Sequence, residues 1–230
     1  MEENKRTKIL AVDDEADICE ILKFNLEAEG YKVDTVNSSE EALKKKLDVY
    51  SLFILDIMMN GMSGLRLADE IRKTKKNFAP IIFLTAKSSE NDRLTGFSIG
   101  ADDYITKPFS VRELIARVKV VLRRTIPEKE VNNLSIKVSG IELDLEKKKL
   151  LIEGAKNDLT PIEFHIIQLL LKNQGKIFTR DKILNIVWKE NNNVVDRTID
   201  VHIARLRKKL GAYGKYLISR SGYGYCFEME

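Results

Sequence analysis

The strongest constraint on this chain is an alternation in its first half between short apolar runs and amphipathic stretches. The runs lie at residues 8–12, 31–36, 52–55, 80–86 and 103–106. The third and fourth are continuously apolar, as strands of a parallel sheet covered on both faces must be. Between the runs, apolar residues switch to helical spacing. Ile18, Ile21, Leu22 and Leu26 form one such series, and Leu114, Ile115, Val118, Val121 and Leu122 another. Ser38 with Glu41, and Ser110 with Glu113, have the spacing of a capping box. Five βα units in succession predict an α/β, doubly wound, five-stranded parallel sheet over residues 1–124.

A linker is expected at 125–133, where a Pro, a charged run at 128–130 and two Asn interrupt the pattern. Residues 134–230 then change style. Short strands with turns at Ser139-Gly140 and Glu153-Gly154 predict a small antiparallel sheet. Thr160, Pro161 and Glu163 mark a helix start. A second helix is expected near Thr179, a third over 196–210, and a hairpin around Gly222 and Gly224. The result is an α+β domain.

The chain has 230 residues and a net charge of +4. The first 124 are neutral, so the whole excess lies in the second half, which suits a polyanionic partner. No apolar run approaches the ~20 residues that span a bilayer, and the charged N-terminus lacks a signal segment. No membrane association and a cytoplasmic location are expected. Cys19 and Cys226 form no metal or redox motif, and His165 and His202 are too few and too scattered for zinc.

Function in open parallel sheets sits at the carboxyl ends of the strands. Asp13 and Asp14 follow the first strand, Asp56 the third, Thr85 the fourth and Lys107 the fifth. One strand-end Asp is commonly a helix cap, but five such groups at successive strand ends form a pocket. Clustered carboxylates raise one another's pKa, and Mg²⁺ (or Mn²⁺) would relieve the repulsion with oxygen ligands. Lys and Thr would bind phosphoryl oxygens.

Val12-Asp13-Asp14-Glu15, Leu55-Asp56-Ile57-Met58, Gly61-Met62-Ser63-Gly64, Leu84-Thr85-Ala86 and the run from Gly100 to Phe109 resemble the receiver domain of two-component response regulators, a flavodoxin-like fold. The resemblance implies that Asp56 accepts a phosphoryl group from a sensor histidine kinase. Asp14, Asp56 and the Met58 carbonyl would ligate Mg²⁺, with Asp13 assisting through water. Lys107 would pair with the phosphoryl group, Thr85 would hydrogen-bond it, and Tyr104 would turn inward as the switch aromatic. Pro108 would follow a cis peptide. Arg93, Asp103, Glu113 and Arg117 match positions that form ion pairs between subunits, which implies a homodimer on phosphorylation. Relatives often carry Pro where Asn60 stands, which bears on loop stiffness.

On a helical wheel, Ile199, Ile203, Leu206 and Leu210 make a core stripe. Arg197, Thr198, Val201, His202, Arg205, Lys208 and Lys209 lie opposite, a face fit for the major groove. Arg205 would reach a guanine or a phosphate, Val201 a thymine methyl and His202 a phosphate. Residues 159–164, 178–181, 187–188, 195–210 and 222–225 resemble the winged-helix effector domain of the OmpR/PhoB class. That implies double-stranded promoter DNA as partner, a wing with Arg220 and Gly222 along the minor groove, and a loop at 189–194 that touches RNA polymerase in some relatives. Ala204 and Ser221 stand where relatives carry basic residues, so phosphate contacts there are in question.

Two other readings remain open at this stage. An aspartate-nucleophile phosphohydrolase would need an acid two residues after Asp56, where Met58 stands. A regulator working without phosphorylation would tend to lose one of the five pocket residues. The expectation is therefore a regulator and not an enzyme.

Overall fold

The computed structural model describes residues 7–86, 99–124, 135–188 and 197–229. The chain divides into two compact units, Met1–Ile126 and Pro127–Glu230. The linker expected at 125–133 lies outside the described residues.

The first unit is built on five parallel strands: β1 Lys8–Val12, β2 Lys32–Val36, β3 Leu52–Asp56, β4 Ile81–Ala86 and β5 Asp103–Lys107, in the order β2-β1-β3-β4-β5. The strand order reverses between β1 and β3, which opens a crevice at their carboxyl ends. β3 is buried at every position, and β4 at all but Ala86, so their continuous apolar runs are required by cover on both faces.

Helices α1 (Ala16–Ala28), α2 (Ser39–Leu43), α3 (Gly64–Lys73) and α4 (Val111–Arg123) follow strands β1, β2, β3 and β5. Leu22 and Leu26 of α1 pack against Leu114, Val118 and Val121 of α4 within one core cluster. Ile21 departs from its expected place. It is 41% exposed and Phe24 is 75% exposed, because the face that α1 turns to the sheet is narrower than its apolar series. The expected capping boxes are half made. Ser38 and Ser110 accept the backbone N–H of Glu41 and Glu113, but the Glu41 carboxylate turns to the Asn37 N–H and that of Glu113 to Arg117.

The second unit begins with an antiparallel sheet of β6 (Ser135–Val138), β7 (Ile141–Asp144), β8 (Lys149–Ile152) and β9 (Ala155–Asn157). Ser139 and Glu153 adopt positive φ at its turns. Helices α5 (Pro161–Lys172), α6 (Arg180–Trp188) and α7 (Arg197–Leu210) enclose the core, and β10 (Leu217–Arg220) pairs with β11 (Gly224–Phe227) as a hairpin. Ile199, Ile203, Leu206 and Leu210 are all fully buried. At Thr160 the capping box is complete: its hydroxyl accepts the Glu163 N–H, and the Glu163 carboxylate accepts the Thr160 N–H.

Gly64 opens α3 directly beneath the end of β3. A Cβ there would lie 1.9 Å from the Asp56 carbonyl oxygen, a backbone atom that cannot swing aside. Gly64→Ala should therefore lower the stability of the first unit by about 1–3 kcal/mol, the usual cost of forced overpacking. Thermal unfolding checks this, and an unchanged midpoint would contradict the close approach.

Candidate functional sites

The crevice at the ends of β1, β3 and β5 is organised around one ammonium group. Lys107 Nζ lies 2.8 Å from Asp13 Oδ2, 2.9 Å from Asp56 Oδ2 and 2.9 Å from Glu15 Oε1. Asp13 and Asp56 are buried, whereas Glu15 is exposed. Burial opposes the charge on Lys107, but the bonds to Asp13, Asp56 and Glu15 outweigh it and hold its pKa above the ordinary lysine value. Burial pushes the Asp13 carboxyl up, against the bonds from Lys107 and the Glu15 N–H. Asp13, Glu15 and Asp56 bring carboxylate oxygens within 4.8 Å of one another. Such an all-oxygen set suits a hard divalent cation.

Asp14 is not in that group. Its Oδ2 accepts the Asn60 backbone N–H at 3.1 Å and the Asn60 Nδ2 at 3.0 Å. The Met58 N–H donates to Asp56 Oδ1 at 3.1 Å. Thr85 is fully buried, and its hydroxyl donates to the Ala86 carbonyl at 2.7 Å. Register pairs Thr85 with Thr106 and Phe83 with Tyr104, so Thr85 and Tyr104 share one face of the sheet. The half-buried Tyr104 ring leans on Phe83 at 5.4 Å between centroids. The Lys107–Pro108 peptide is cis. Arg117 joins Asp103 at 3.1 Å and Glu113 at 2.7 Å within a single chain. Arg93 lies outside the described residues.

The second charged centre is buried beneath α7. Glu163 is fully buried, and its carboxylate meets Arg205 Nε at 3.0 Å and Lys209 Nζ at 2.6 Å. Burial alone would raise its pKa, but Arg205 and Lys209 bring it below the usual carboxylate value. Arg207 donates to the Leu217 carbonyl and the Ser219 hydroxyl of β10. Asp200 accepts from Arg180 of α6 and from the Tyr225 hydroxyl of β11, each at 2.7 Å. Along α7, Ala204 and Lys208 are exposed and Val201 is half-buried. In the hairpin, Arg220 is exposed and pairs with Glu228 at 3.0 Å, and Gly222 takes a positive φ at the tip.

Residues 9–119 match the response regulator receiver domain, and residues 154–227 match the C-terminal domain of transcriptional regulatory proteins. The chain is 39% identical to transcriptional regulatory protein ResD of Bacillus subtilis, over 100% of this chain and 99% of that protein. It is 40% identical to the phosphate regulon transcriptional regulatory protein PhoB of Rhizobium meliloti, over 96% and 98%. The structure of DrrB, an OmpR/PhoB homologue from Thermotoga maritima, superposes with a TM-score of 0.51 at 30% identity, covering 97% of this chain and 99% of that one.

The chain is a response regulator of the OmpR/PhoB class.

Its regulatory role follows from that membership: it is a phosphorylation-dependent, DNA-binding transcription regulator of a two-component system. Within this regulator the structure corrects one expected DNA contact outright. His202 is fully buried, so it offers nothing to a phosphate. Lys209 is only partly exposed and bonds inward to Glu163 and the Asp158 carbonyl. The physical reason is one of spacing. Positions 202, 205 and 209 form an i, i+3, i+7 stripe beside the apolar one, and Glu163 draws that stripe inward. Glu15, Asn60 and Glu163 were not singled out as site residues by sequence. Glu163 had the only readable signal, since the spacing of its capping box fixes where its side chain turns back.

Burial lowers the His202 pKa to about 3, with Arg205 and Lys209 adding to the effect and Glu163 opposing it. The unfolded chain takes up the proton first, near pH 6.5, so stability is complete above that value and is lost as pH falls toward 3. From pH 7.5 to pH 5 the second unit should lose about 2 kcal/mol through this one group. Urea unfolding followed by Trp188, the chain's only Trp, checks this. His202→Leu should flatten that part of the pH dependence, and parallel curves for the two proteins would refute it.

Proposed function

We propose that Asp56 is the phosphoacceptor and that its phosphorylation promotes homodimerisation and promoter binding. The observation that carries this reading is the half-buried Lys107 ammonium 2.9 Å from the buried Asp56 carboxylate. It is placed to hold a phosphoryl oxygen at the point where one would be added. An Asp56 oxygen attacks the phosphorus, the phosphorus–nitrogen bond of the kinase histidine breaks, and the imidazole leaves. Asp13, Asp14, Asp56 and the Met58 carbonyl would hold Mg²⁺ (or Mn²⁺), which would supply positive charge against the clustered carboxylates.

Lys107 then exchanges a carboxylate for the phosphoryl group. The Thr85 hydroxyl turns from the Ala86 carbonyl to a phosphoryl oxygen, and Tyr104 follows into the space vacated. The signal reaches the Asp103, Glu113 and Arg117 cluster. There Arg117 exchanges partners within the chain for partners in a second copy, and Arg93, which lies outside the described residues, joins those intersubunit pairs. The chain turns over no external substrate, since Met58 stands where a hydrolase would carry its acid.

In the second unit, α7 enters the major groove with Arg197, Thr198, Val201 and Lys208. Arg205, held through its Nε by Glu163, presents a pre-oriented guanidinium instead of a mobile arm. The wing brings Arg220 and Gly222 to the minor groove, and the segment at 189–194, which lies outside the described residues, meets RNA polymerase. No helix among the described residues is long and apolar enough to cross a membrane, which supports a cytoplasmic site of action.

Asp56→Asn should abolish the tightening of promoter binding by a small-molecule phosphodonor with Mg²⁺, at fixed salt, while leaving basal binding intact. An undiminished response in the variant would remove Asp56 from the switch. Lys208→Ala should lower the slope of log affinity against log salt by about 1, the value of one phosphate contact. Lys209→Ala should instead lower the unfolding midpoint. Equal salt slopes for Lys208→Ala and the parent protein would rule out a phosphate contact at this position.

A further inference from the structure

The residue that ties the two ligand-bearing loops of the pocket together is Asn60. Asp14 belongs to the loop after β1, and Asn60 to the loop after β3 that also carries Met58. Both donors of Asn60, its backbone N–H and its side-chain amide, converge on one oxygen, Asp14 Oδ2, at 3.1 and 3.0 Å. The same loop is fixed on its other side, where the Met62 N–H donates to Glu40 Oε1 at 3.2 Å. Between the two attachments Gly61 takes φ +83°, so the loop turns sharply and is held at both ends of the turn. Two donors on Oδ2 occupy its acceptor directions and leave Oδ1 as the ligating atom of Asp14.

We infer that Asn60 is a positioning residue for the divalent cation. It staples the β3 loop to Asp14, so that the Asp14 carboxylate and the Asp56 side of the pocket are held in register before the ion arrives. The inference rests on the reading of this pocket as a metal site. Outer partners that orient a ligating carboxylate matter about 10–100-fold in metal affinity. Proline at this position could supply neither bond, having no N–H and no side-chain donor. The residue type at position 60 is thus a setting of metal affinity in this chain, beyond its effect on turn stiffness.

The test is Mn²⁺ binding to the full-length, unphosphorylated protein, read as the loss of the free-ion signal in electron paramagnetic resonance. Asn60→Ala should weaken Mn²⁺ binding about tenfold, and Asn60→Pro more, toward the upper end of the range for such partners. Thermal unfolding without metal should be unchanged for Asn60→Ala, which separates positioning from a structural role. In an Asp14→Ala background, Asn60→Ala should have no further effect, because the carboxylate it positions is gone. Equal or tighter Mn²⁺ binding by Asn60→Ala, with Asp14→Ala still weakened, would overturn the inference alone. Mn²⁺ affinity unmoved by both Asp14→Ala and Asp56→Ala would overturn the metal reading beneath it as well.

Discussion

One ammonium group shared among three carboxylates is the interaction on which the first unit depends. Lys107 touches Asp13, Glu15 and Asp56 at hydrogen-bonding distance, and two of those three are buried. A buried charge is tolerable only when paired, so the sheet must deliver Lys107 from β5 to the ends of β1 and β3. It does so through the strand order β2-β1-β3-β4-β5 and the pairing of Lys107 with Ala86. One positive charge does not balance three negative ones. The pocket keeps a net demand for positive charge, and a phosphoryl group added to Asp56 deepens it. The proposed switch would draw on that imbalance, since the new charge would require moving Lys107 or recruiting a cation.

The second unit uses the same device with the signs exchanged. Glu163 is one buried carboxylate between two cations, Arg205 and Lys209, with His202 held neutral in the fully buried turn beside them. This centre carries an excess of positive charge, and it lies under the helix proposed to face DNA. The arrangement fixes the rotation of α7 about its own axis, because His202 is buried and both Arg205 and Lys209 bond to Glu163. It also leaves Ala204 and Lys208 exposed, with Val201 half-buried beside them. Basic residues counted on the sequence of this helix therefore overstate the charge available to phosphates.

The strands were legible because burial on both faces leaves no freedom in composition, and the observed ranges differ from the expected ones by a residue at most. The meeting of Asp13, Asp56 and Lys107 was legible because the strand ends of a doubly wound sheet converge, so these residues needed only their positions in sequence. The partners of individual side chains were not. A wheel sorts residues by polarity, and it placed His202 and Lys209 outside because they are polar. Their spacing was that of an inward stripe, but the acid that turns them inward lies on another helix, 39 residues before His202. Ile21 erred in the opposite sense, an apolar residue left at the surface when α1 met the sheet through fewer positions than its periodicity offered. At Ser38 and Ser110 the spacing alone gave half of each box, since Glu113 found a better partner in Arg117.

The reading helix and the hairpin behave as one piece. Asp200 ties α7 to Arg180 of α6 and to Tyr225 of β11, and Arg207 ties α7 to β10. Gly224 lets the hairpin lie against the start of α6, since a Cβ there would stand 2.0 Å from the Phe178 carbonyl oxygen. In the proposed reading of DNA by α7, bracing at Glu163, Asp200 and Arg207 would position its side chains before DNA arrives and so reduce the ordering cost of binding. The same bracing limits how regulation can act. Reshaping the reader would require breaking several charge-assisted bonds at once, each costing about 1.5–3 kcal/mol. Bringing two intact readers onto two half-sites breaks none of them and gains affinity through effective concentration. The internal rigidity of the second unit therefore favours the proposed control by pairing over control by deformation, and it gives a physical reason for the intersubunit role proposed for Asp103, Glu113 and Arg117.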